Sequence, residues 1–163
     1  GDVYKRHPYR GFFWPRTRYA VGELADYGER LRRALADDAA AIAPLHDAEF
    51  PDTYYSATRL VAEAEAGEFV VLVAEDDGFA GYASGRVQGD GAGYLDFIAV
   101  PAGARGRGLG RALVVAAGRE LIARSPQRNV NLTVQDHREP AKALYRSLGF
   151  RPDGVIVGYR PAP

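Results

Sequence analysis

The stretch Arg105-Gly106-Arg107-Gly108-Leu109-Gly110-Arg111 carries the strongest structural signal in the chain. It lies between an apolar run over 94–100 and a segment over 109–123 whose apolar residues recur on one helical face. Glycines let a backbone close around an anion, and a helix N-terminus presents unpaired N–H groups with a partial positive charge. The three arginines add bidentate phosphate donors. The stretch therefore predicts a pyrophosphate site between a strand and a helix.

Two other glycine-rich phosphate motifs do not fit this stretch. The dinucleotide-binding pattern needs glycine or alanine at its third position, which is Arg111 if Gly106 begins the motif and Leu113 if Gly108 does. The nucleoside-triphosphate loop needs Gly-Lys followed by Ser or Thr, which the stretch lacks. Gly-Arg runs also occur in flexible nucleic-acid-binding segments, but a position between two regular elements counts against that interpretation.

Regular elements are predicted on both sides of the loop. The sequence pattern indicates strands over Glu29–Arg33, Phe69–Ala74, Phe79–Val87, Tyr94–Val100, Val130–Val134 and Val155–Tyr159, and helices over Asp37–Phe50, Tyr55–Ala66, Leu109–Ala123 and Pro140–Leu148. Their order is β-α-α-β-β-β-α-β-α-β, which predicts an α/β domain over residues 28–163 with a mixed sheet and crossover helices.

Residues 1–27 differ from the rest of the chain and are treated as an N-terminal extension. They are rich in aromatic residues, arginine and proline without a clean period, and a short strand is predicted over Arg16–Val21. The extension could be the tail of a preceding domain, an arm that packs on its own domain, or an arm that swaps into a second copy and makes a homodimer. A nucleic-acid-binding arm is disfavoured, because the segment contains no recognisable module.

Composition narrows the class of protein. A length of 163 residues suits a single domain. The chain has no cysteine, which excludes disulfides and thiol nucleophiles and fits an intracellular, cytoplasmic protein. Three scattered histidines show no metal-ligand spacing, so no metal site is predicted. No apolar run approaches about 18 residues, so no membrane span is predicted.

Two motifs together resemble one family. Ile98-Ala99-Val100 followed by Arg105–Gly110 resembles the acetyl-CoA motif of the GCN5-related N-acetyltransferases (GNAT). Ala141–Phe150, which contains Leu144-Tyr145 and Leu148-Gly149-Phe150, resembles the second signature of that family. The resemblance extends from about residue 29 to the end of the chain. It implies a mostly antiparallel sheet with helices on both faces, splayed at the acetyl-CoA site.

The resemblance implies a cofactor site. The backbone of Ile98, Ala99 and Val100 would pair with the pantetheine arm of acetyl-CoA as if it were another strand. The loop would hold the pyrophosphate, and its residues are Arg105, Gly106, Arg107, Gly108, Leu109, Gly110 and Arg111. The family usually has asparagine where this chain has Arg138, which could still bind a phosphate of coenzyme A.

Two residues are the candidates for proton chemistry. The resemblance implies that Tyr145 donates a proton or a hydrogen bond to the leaving sulfur, for which a phenol is suited. Some relatives have a glutamate as base where this chain has Thr133, which cannot accept the proton. Asp96 is the better candidate, acting directly or through water. Its spacing from Ile98 predicts that both side chains share one face of their strand.

The predicted activity is transfer of an acetyl group to a primary amine by direct attack in a ternary complex. The first two helices and their loop are expected to hold the acceptor, where acids would attract a cation and aromatics would pack its skeleton. The residues of that region are His46, Asp47, Glu49, Asp52, Tyr54 and Tyr55. A small amine is the favoured acceptor. The alternatives are a protein or peptide acceptor, and a catalytically silent domain that binds coenzyme A.

Overall fold

The computed structural model describes residues 4–14 and 30–161, with side chains over 10–12 and 30–152. Seven strands form one sheet, and four helices cover it. The strands are β1 (Tyr4–Trp14), β2 (Leu31–Arg33), β3 (Phe69–Glu75), β4 (Phe79–Val87), β5 (Gly93–Ala99), β6 (Val130–Gln135) and β7 (Arg151–Pro161). The helices are α1 (Asp38–Glu49), α2 (Ala57–Glu65), α3 (Leu109–Arg124) and α4 (Glu139–Ser147).

The sheet is buried on both faces, which explains the continuous apolar run in β3. Val70, Leu72 and Ala74 belong to the core beneath α3 and α4. Val71 and Val73 alternate with them and face a second core beneath α1 and α2. A strand that is covered on both sides has no polar face, so its sequence shows no alternation.

The order of the strands is β2-β3-β4-β5-β6-β1-β7. Every pair is antiparallel except β5 with β6. The parallel pair needs a crossover connection, which α3 supplies. The predicted fold class, a mostly antiparallel mixed sheet with helices on both faces, is confirmed.

The N-terminal strand β1 is the main addition to the predicted order. It lies between β6 and β7 and is antiparallel to both, with Phe12 opposite Leu132 of β6. Part of the predicted extension is therefore a strand of the central sheet. The strand predicted over Arg16–Val21 lies outside the described residues. Within the described ranges, no helix is both long and apolar enough to cross a bilayer.

Side chains fix β1 to the domain. Phe12 is 1% exposed, and its ring centroid lies 5.9 Å from that of Tyr145 on α4. Arg10 donates from Nε to Asp136 Oδ1 at 2.8 Å, and the same oxygen accepts from Lys142 Nζ at 3.3 Å. The strand is thus bound to α4 by both apolar packing and ion pairs.

Replacing Phe12 by alanine tests this packing. We expect Phe12→Ala to lower the free energy of unfolding by about 3 kcal/mol, because it leaves a cavity in a closed core. Urea denaturation followed by circular dichroism measures the change. Leu35 is 64% exposed, so Leu35→Ala should stay within about 0.5 kcal/mol of the parent protein. Equal effects of the two substitutions would show that β1 does not contribute to the core.

Candidate active site

The sheet opens between β5 and β6. Their parallel pairing covers only Gly93–Leu95 against Val130–Leu132, although β5 continues to Ala99 and β6 to Gln135. Tyr94 and Thr133 tie the two strands together near this point, with 2.8 Å between their hydroxyl oxygens. Beyond it, the facing backbone groups have no partner in the neighbouring strand. The stretch Ile98–Val100 lies along this opening, so its backbone can receive an extended ligand.

The glycine loop follows directly from β5. After Pro101 the chain makes a 3-10 turn over Ala102–Ala104, and α3 begins at Leu109. Gly106 and Gly108 have φ angles of 81° and 77°, which favour glycine. No described residue lies within 4 Å of a Cβ atom built at either position, so the described part of the chain leaves the space around these two glycines open. The structure therefore provides an exposed cradle at a helix N-terminus.

Free amides complete this cradle. The first helical hydrogen bond of α3 runs from Ala112 N to Gly108 O at 3.0 Å. The three N–H groups before this bond have no acceptor within the helix, and they belong to Leu109, Gly110 and Arg111. Together with the positive end of the helix dipole, they suit an anion such as a phosphate.

The loop arginines lie at the surface and contact other protein groups. Arg105 donates from Nε to the carbonyl of Val100 at 3.1 Å. Arg107 donates to Asp76 Oδ2 at 2.5 Å, and Arg111 to Ser147 Oγ at 3.2 Å. These bonds are solvent-exposed, so exchanging their acceptors for a phosphate costs little.

Arg138 lies across the opening from Arg105. It is the N-cap residue of α4 and follows β6 after Asp136 and His137, and it donates from Nε to Gln135 Oε1 at 2.9 Å. Its Nη1 lies 3.7 Å from Glu49 Oε2, and Nη2 of Arg105 lies 3.8 Å from Glu49 Oε1. The last residue of α1 therefore connects two predicted cofactor-binding arginines.

Tyr145 of α4 lies in the core and is 9% exposed. Its ring packs between Phe12 and Phe150, at centroid distances of 5.9 and 5.7 Å. Burial raises the pKa of Tyr145 to about 12, and the charge of Arg138 opposes the rise. The phenol therefore stays protonated at neutral pH and can act only as a hydrogen donor toward an anion.

Asp96 is placed by a β-bulge. Ser84 of β4 is opposite Phe97 and Gly85 is opposite Leu95, so Asp96 is the extra residue. Ile98 packs on the core beneath α3, whereas Asp96 pairs with Arg86, whose guanidinium lies over the Tyr55 ring of the opposite face. The expectation that Asp96 and Ile98 share a face is therefore wrong, because the bulge breaks the alternation.

The Asp96 carboxylate is poorly satisfied. Its side chain is 7% exposed, its Oδ1 lies 3.4 Å from Arg86 Nη1, and its buried Oδ2 has no hydrogen-bond partner among the described residues. Burial raises the pKa of Asp96 to about 6, and the charge of Arg86 opposes the rise. A carboxyl group with an unused buried oxygen and a pKa near neutrality is suited to accept a proton.

Arg86 was not identified from the sequence, although it holds Asp96. It donates from Nη1 to the Tyr55 hydroxyl at 2.9 Å, and its guanidinium lies over the Tyr55 and Phe69 rings. The sequence indicated only that one cation, Arg86, stands near the end of the apolar strand β4. Its pairing with Asp96 could not be predicted, because it depends on the bulge in β5.

The region expected to hold the acceptor is only partly accessible. His46 is fully buried, with Nδ1 2.5 Å from the Tyr82 hydroxyl and Nε2 2.6 Å from the Tyr55 carbonyl. Since a carbonyl only accepts, Nε2 carries the proton. His46 therefore fixes α1 to β4 and cannot contact an acceptor. Tyr54, by contrast, is 96% exposed.

Comparisons with known proteins identify the family to which the sequence is similar. The sequence profile of the Acetyltransferase (GNAT) family matches residues 28–150. A mycothiol acetyltransferase from Clavibacter sepedonicus is 40% identical over 104 residues, which are 63% of this chain and 34% of that protein. The chain thus spans about a third of the length of this relative.

Two further comparisons cover more of the chain. The uncharacterized N-acetyltransferase YhfO of Bacillus subtilis is 30% identical over 142 residues, 79% of this chain and 94% of that protein. A crystal structure of a GCN5-related N-acetyltransferase from Sphaerobacter thermophilus superposes with a TM-score of 0.67 at 20% identity, covering 97% of this chain and 53% of that one. With the match of the family profile, these findings show that the chain belongs to the GNAT family of acetyltransferases.

Proposed function

We propose that the protein is an acetyl-CoA-dependent N-acetyltransferase that acetylates a small primary amine in a ternary complex. The observation that carries this proposal is the opening between β5 and β6, with the free helix start of α3 at one end and Asp96 at the other. Membership of the GNAT family supports acetyl-CoA as the donor.

The residues present fit this donor. The open space around Gly106 and Gly108 admits a pyrophosphate, and the unpaired backbone along Ile98–Val100 suits the amide groups of a pantetheine arm. When bound, acetyl-CoA supplies a thioester, and the amine nitrogen forms a C–N bond as the C–S bond breaks and the coenzyme leaves as its thiol. The proposed partners of the phosphates are Arg105, Arg107, Arg111 and Arg138, whose charges would be neutralised on binding.

Asp96 is the proposed general base. A primary amine has a pKa near about 10 and arrives protonated, so a proton must leave before nitrogen can attack. The raised pKa of Asp96 leaves most of the carboxylate ionised at neutral pH while keeping it a stronger base than an exposed aspartate. The buried Oδ2 has no competing donor among the described residues.

Tyr145 is the proposed donor toward sulfur. Its pKa of about 12 lies well above that of a thiol, near about 8.5, so complete proton transfer to a thiolate is unfavourable. Hydrogen-bond donation stabilises the charge that develops on sulfur without that transfer. The thiolate then takes a proton from solvent, to which Asp96 releases the proton that it accepted from the amine.

The activity is tested with a panel of small amines and peptides, measuring release of free thiol from acetyl-CoA. We expect turnover with at least one small amine, and Tyr145→Phe should lower kcat by about 10- to 1,000-fold. Leu35→Ala, at an exposed position outside the site, should leave kcat unchanged. The absence of thiol release with every acceptor would overturn the proposed activity. Normal turnover by Tyr145→Phe would remove this residue from the mechanism.

The glycine loop is tested by binding of coenzyme A. Alanine at Gly108 disfavours the left-handed backbone that precedes α3, at a cost of about 1 kcal/mol, so Gly108→Ala should weaken binding about 5-fold. Gly103→Ala is the matched control, because a Cβ atom there also meets nothing within 4 Å and its φ is not positive. Calorimetric titration measures both. Equal affinities would place the pyrophosphate elsewhere.

The titration of Asp96 is tested through stability. Its pKa in the folded state lies above its ordinary value, so folding favours the protonated form. The stability it contributes is present at low pH and is lost as the pH rises through about 6. From about pH 4 to pH 7, the unfolding free energy of the parent protein should fall relative to that of Asp96→Asn by up to about 3 kcal/mol. Urea denaturation at several pH values measures this difference, and parallel curves would contradict a base with a pKa near neutrality.

A further inference from the structure

Glu49 is held rigidly at the rim of the opening. It is the last residue of α1, one turn beyond the buried His46 that joins this helix to Tyr82 and to the Tyr55 carbonyl. The next residue, Phe50, packs against Phe97 of β5 at a centroid distance of 4.9 Å. The end of α1 therefore lies over β5, just where β5 has parted from β6.

The Glu49 carboxylate bridges this opening. Its two oxygens lie 3.8 Å from Arg105 Nη2 and 3.7 Å from Arg138 Nη1, and the two arginines follow the two strands that diverge. Both distances exceed a hydrogen bond, and the Glu49 side chain is 30% exposed. The two ion pairs are therefore weak and can exchange for a better partner.

The charge of this cluster decides which ligand it admits. Two arginines and one glutamate leave a net charge of one positive unit, which attracts phosphates and repels an ammonium group. A phosphate can form bidentate hydrogen bonds with a guanidinium, which Glu49 does not do at 3.8 Å from Arg105 and 3.7 Å from Arg138. Once they engage Arg105 and Arg138, Glu49 keeps no cationic partner among the described residues, and the charge it presents becomes negative.

We propose that Glu49 is a latent cation site, which binds a cationic group of the acceptor only after coenzyme A has engaged Arg105 and Arg138. This inference rests on the proposed function. The nitrogen that is acetylated must lose its proton, whereas a group held by Glu49 keeps its charge. The acceptor class is therefore a small molecule with a second cationic group, such as a diamine. Glu49 also lines a cavity of about 500 Å³ with mainly apolar walls, which gives room for the carbon chain.

Calorimetric titration of cadaverine and pentylamine tests the proposal, because the two share a five-carbon chain and differ in one amino group. Each is titrated into the protein alone and into the protein saturated with coenzyme A. We expect cadaverine to bind the complex at least about 10-fold more tightly than the free protein, and pentylamine to show no such gain. Glu49→Gln should abolish the gain and leave binding of coenzyme A intact or tighter.

Glu68→Gln is the matched control, since it removes the same charge at an exposed position outside the region expected to hold the acceptor, and it should retain the gain. Equal binding of cadaverine with and without coenzyme A, or an undiminished gain in Glu49→Gln, would overturn the proposal. These titrations need no turnover. Tighter binding of cadaverine with coenzyme A, without acetyl transfer to any amine, would refute the proposed activity and support the cation site. Acetyl transfer without tighter binding would support the proposed activity and refute the cation site.

Discussion

The separation of β5 from β6 after Leu95 is the constraint on which the site depends. A sheet normally satisfies the polar groups of each strand through its neighbours, and leaving a stretch unpaired inside a domain is costly unless water or a ligand takes the missing place. On its other edge, β5 remains paired to β4 as far as Ala99. One edge is thus held rigid while the other stays available, and the same strand leads into the loop that begins α3.

The bulge at Asp96 lies at the point of this divergence. It puts one extra residue into β5 and turns a carboxylate toward α1 and α2, the face on which Arg86 lies. The same core that holds Phe97 excludes water from Asp96 and raises its pKa. The bulge therefore places the proposed base beside the point where β5 and β6 part. A substitution that removed the bulge would turn the Asp96 side chain toward the opposite face of the sheet.

The two carboxylates on the α1 and α2 side of the site differ in environment and so in role. Asp96 is almost fully buried and has one arginine at 3.4 Å, which leaves an oxygen unsatisfied. Glu49 is partly exposed and lies between two arginines. A buried carboxyl group whose pKa is near neutrality suits proton exchange, whereas an exposed carboxylate between cations suits ion pairing. The difference in burial therefore supports the two roles proposed for these residues.

The helices and strands around the glycine loop could be predicted from the sequence, because their hydrophobic periodicity and the glycines and prolines at their ends are local properties of the chain. All four predicted helices are confirmed, as are the strands from β3 to β6, and β7 is longer than predicted. Strand β1 could not be predicted, since it contains Pro8 and Gly11 and gains its place only by pairing with two distant strands. The face of Asp96 and the burial of His46 likewise depend on a bulge and on Tyr82, which are properties of the tertiary structure.

Strand β1 also shows that residues outside the family match contribute to the surroundings of the candidate active site. The family profile ends at residue 150, yet the sheet beyond β6 consists of β1 and β7, which come from the two ends of the chain and pair with each other. Without β1, β6 would present an unpaired edge, and β7 would lose its neighbour. Phe12 of β1 forms one wall around Tyr145, and Arg10 holds the turn that leads into α4 through Asp136. The position of the proposed hydrogen donor is therefore set by residues that precede the family match, so the candidate active site and the N-terminal strand belong to one structural unit.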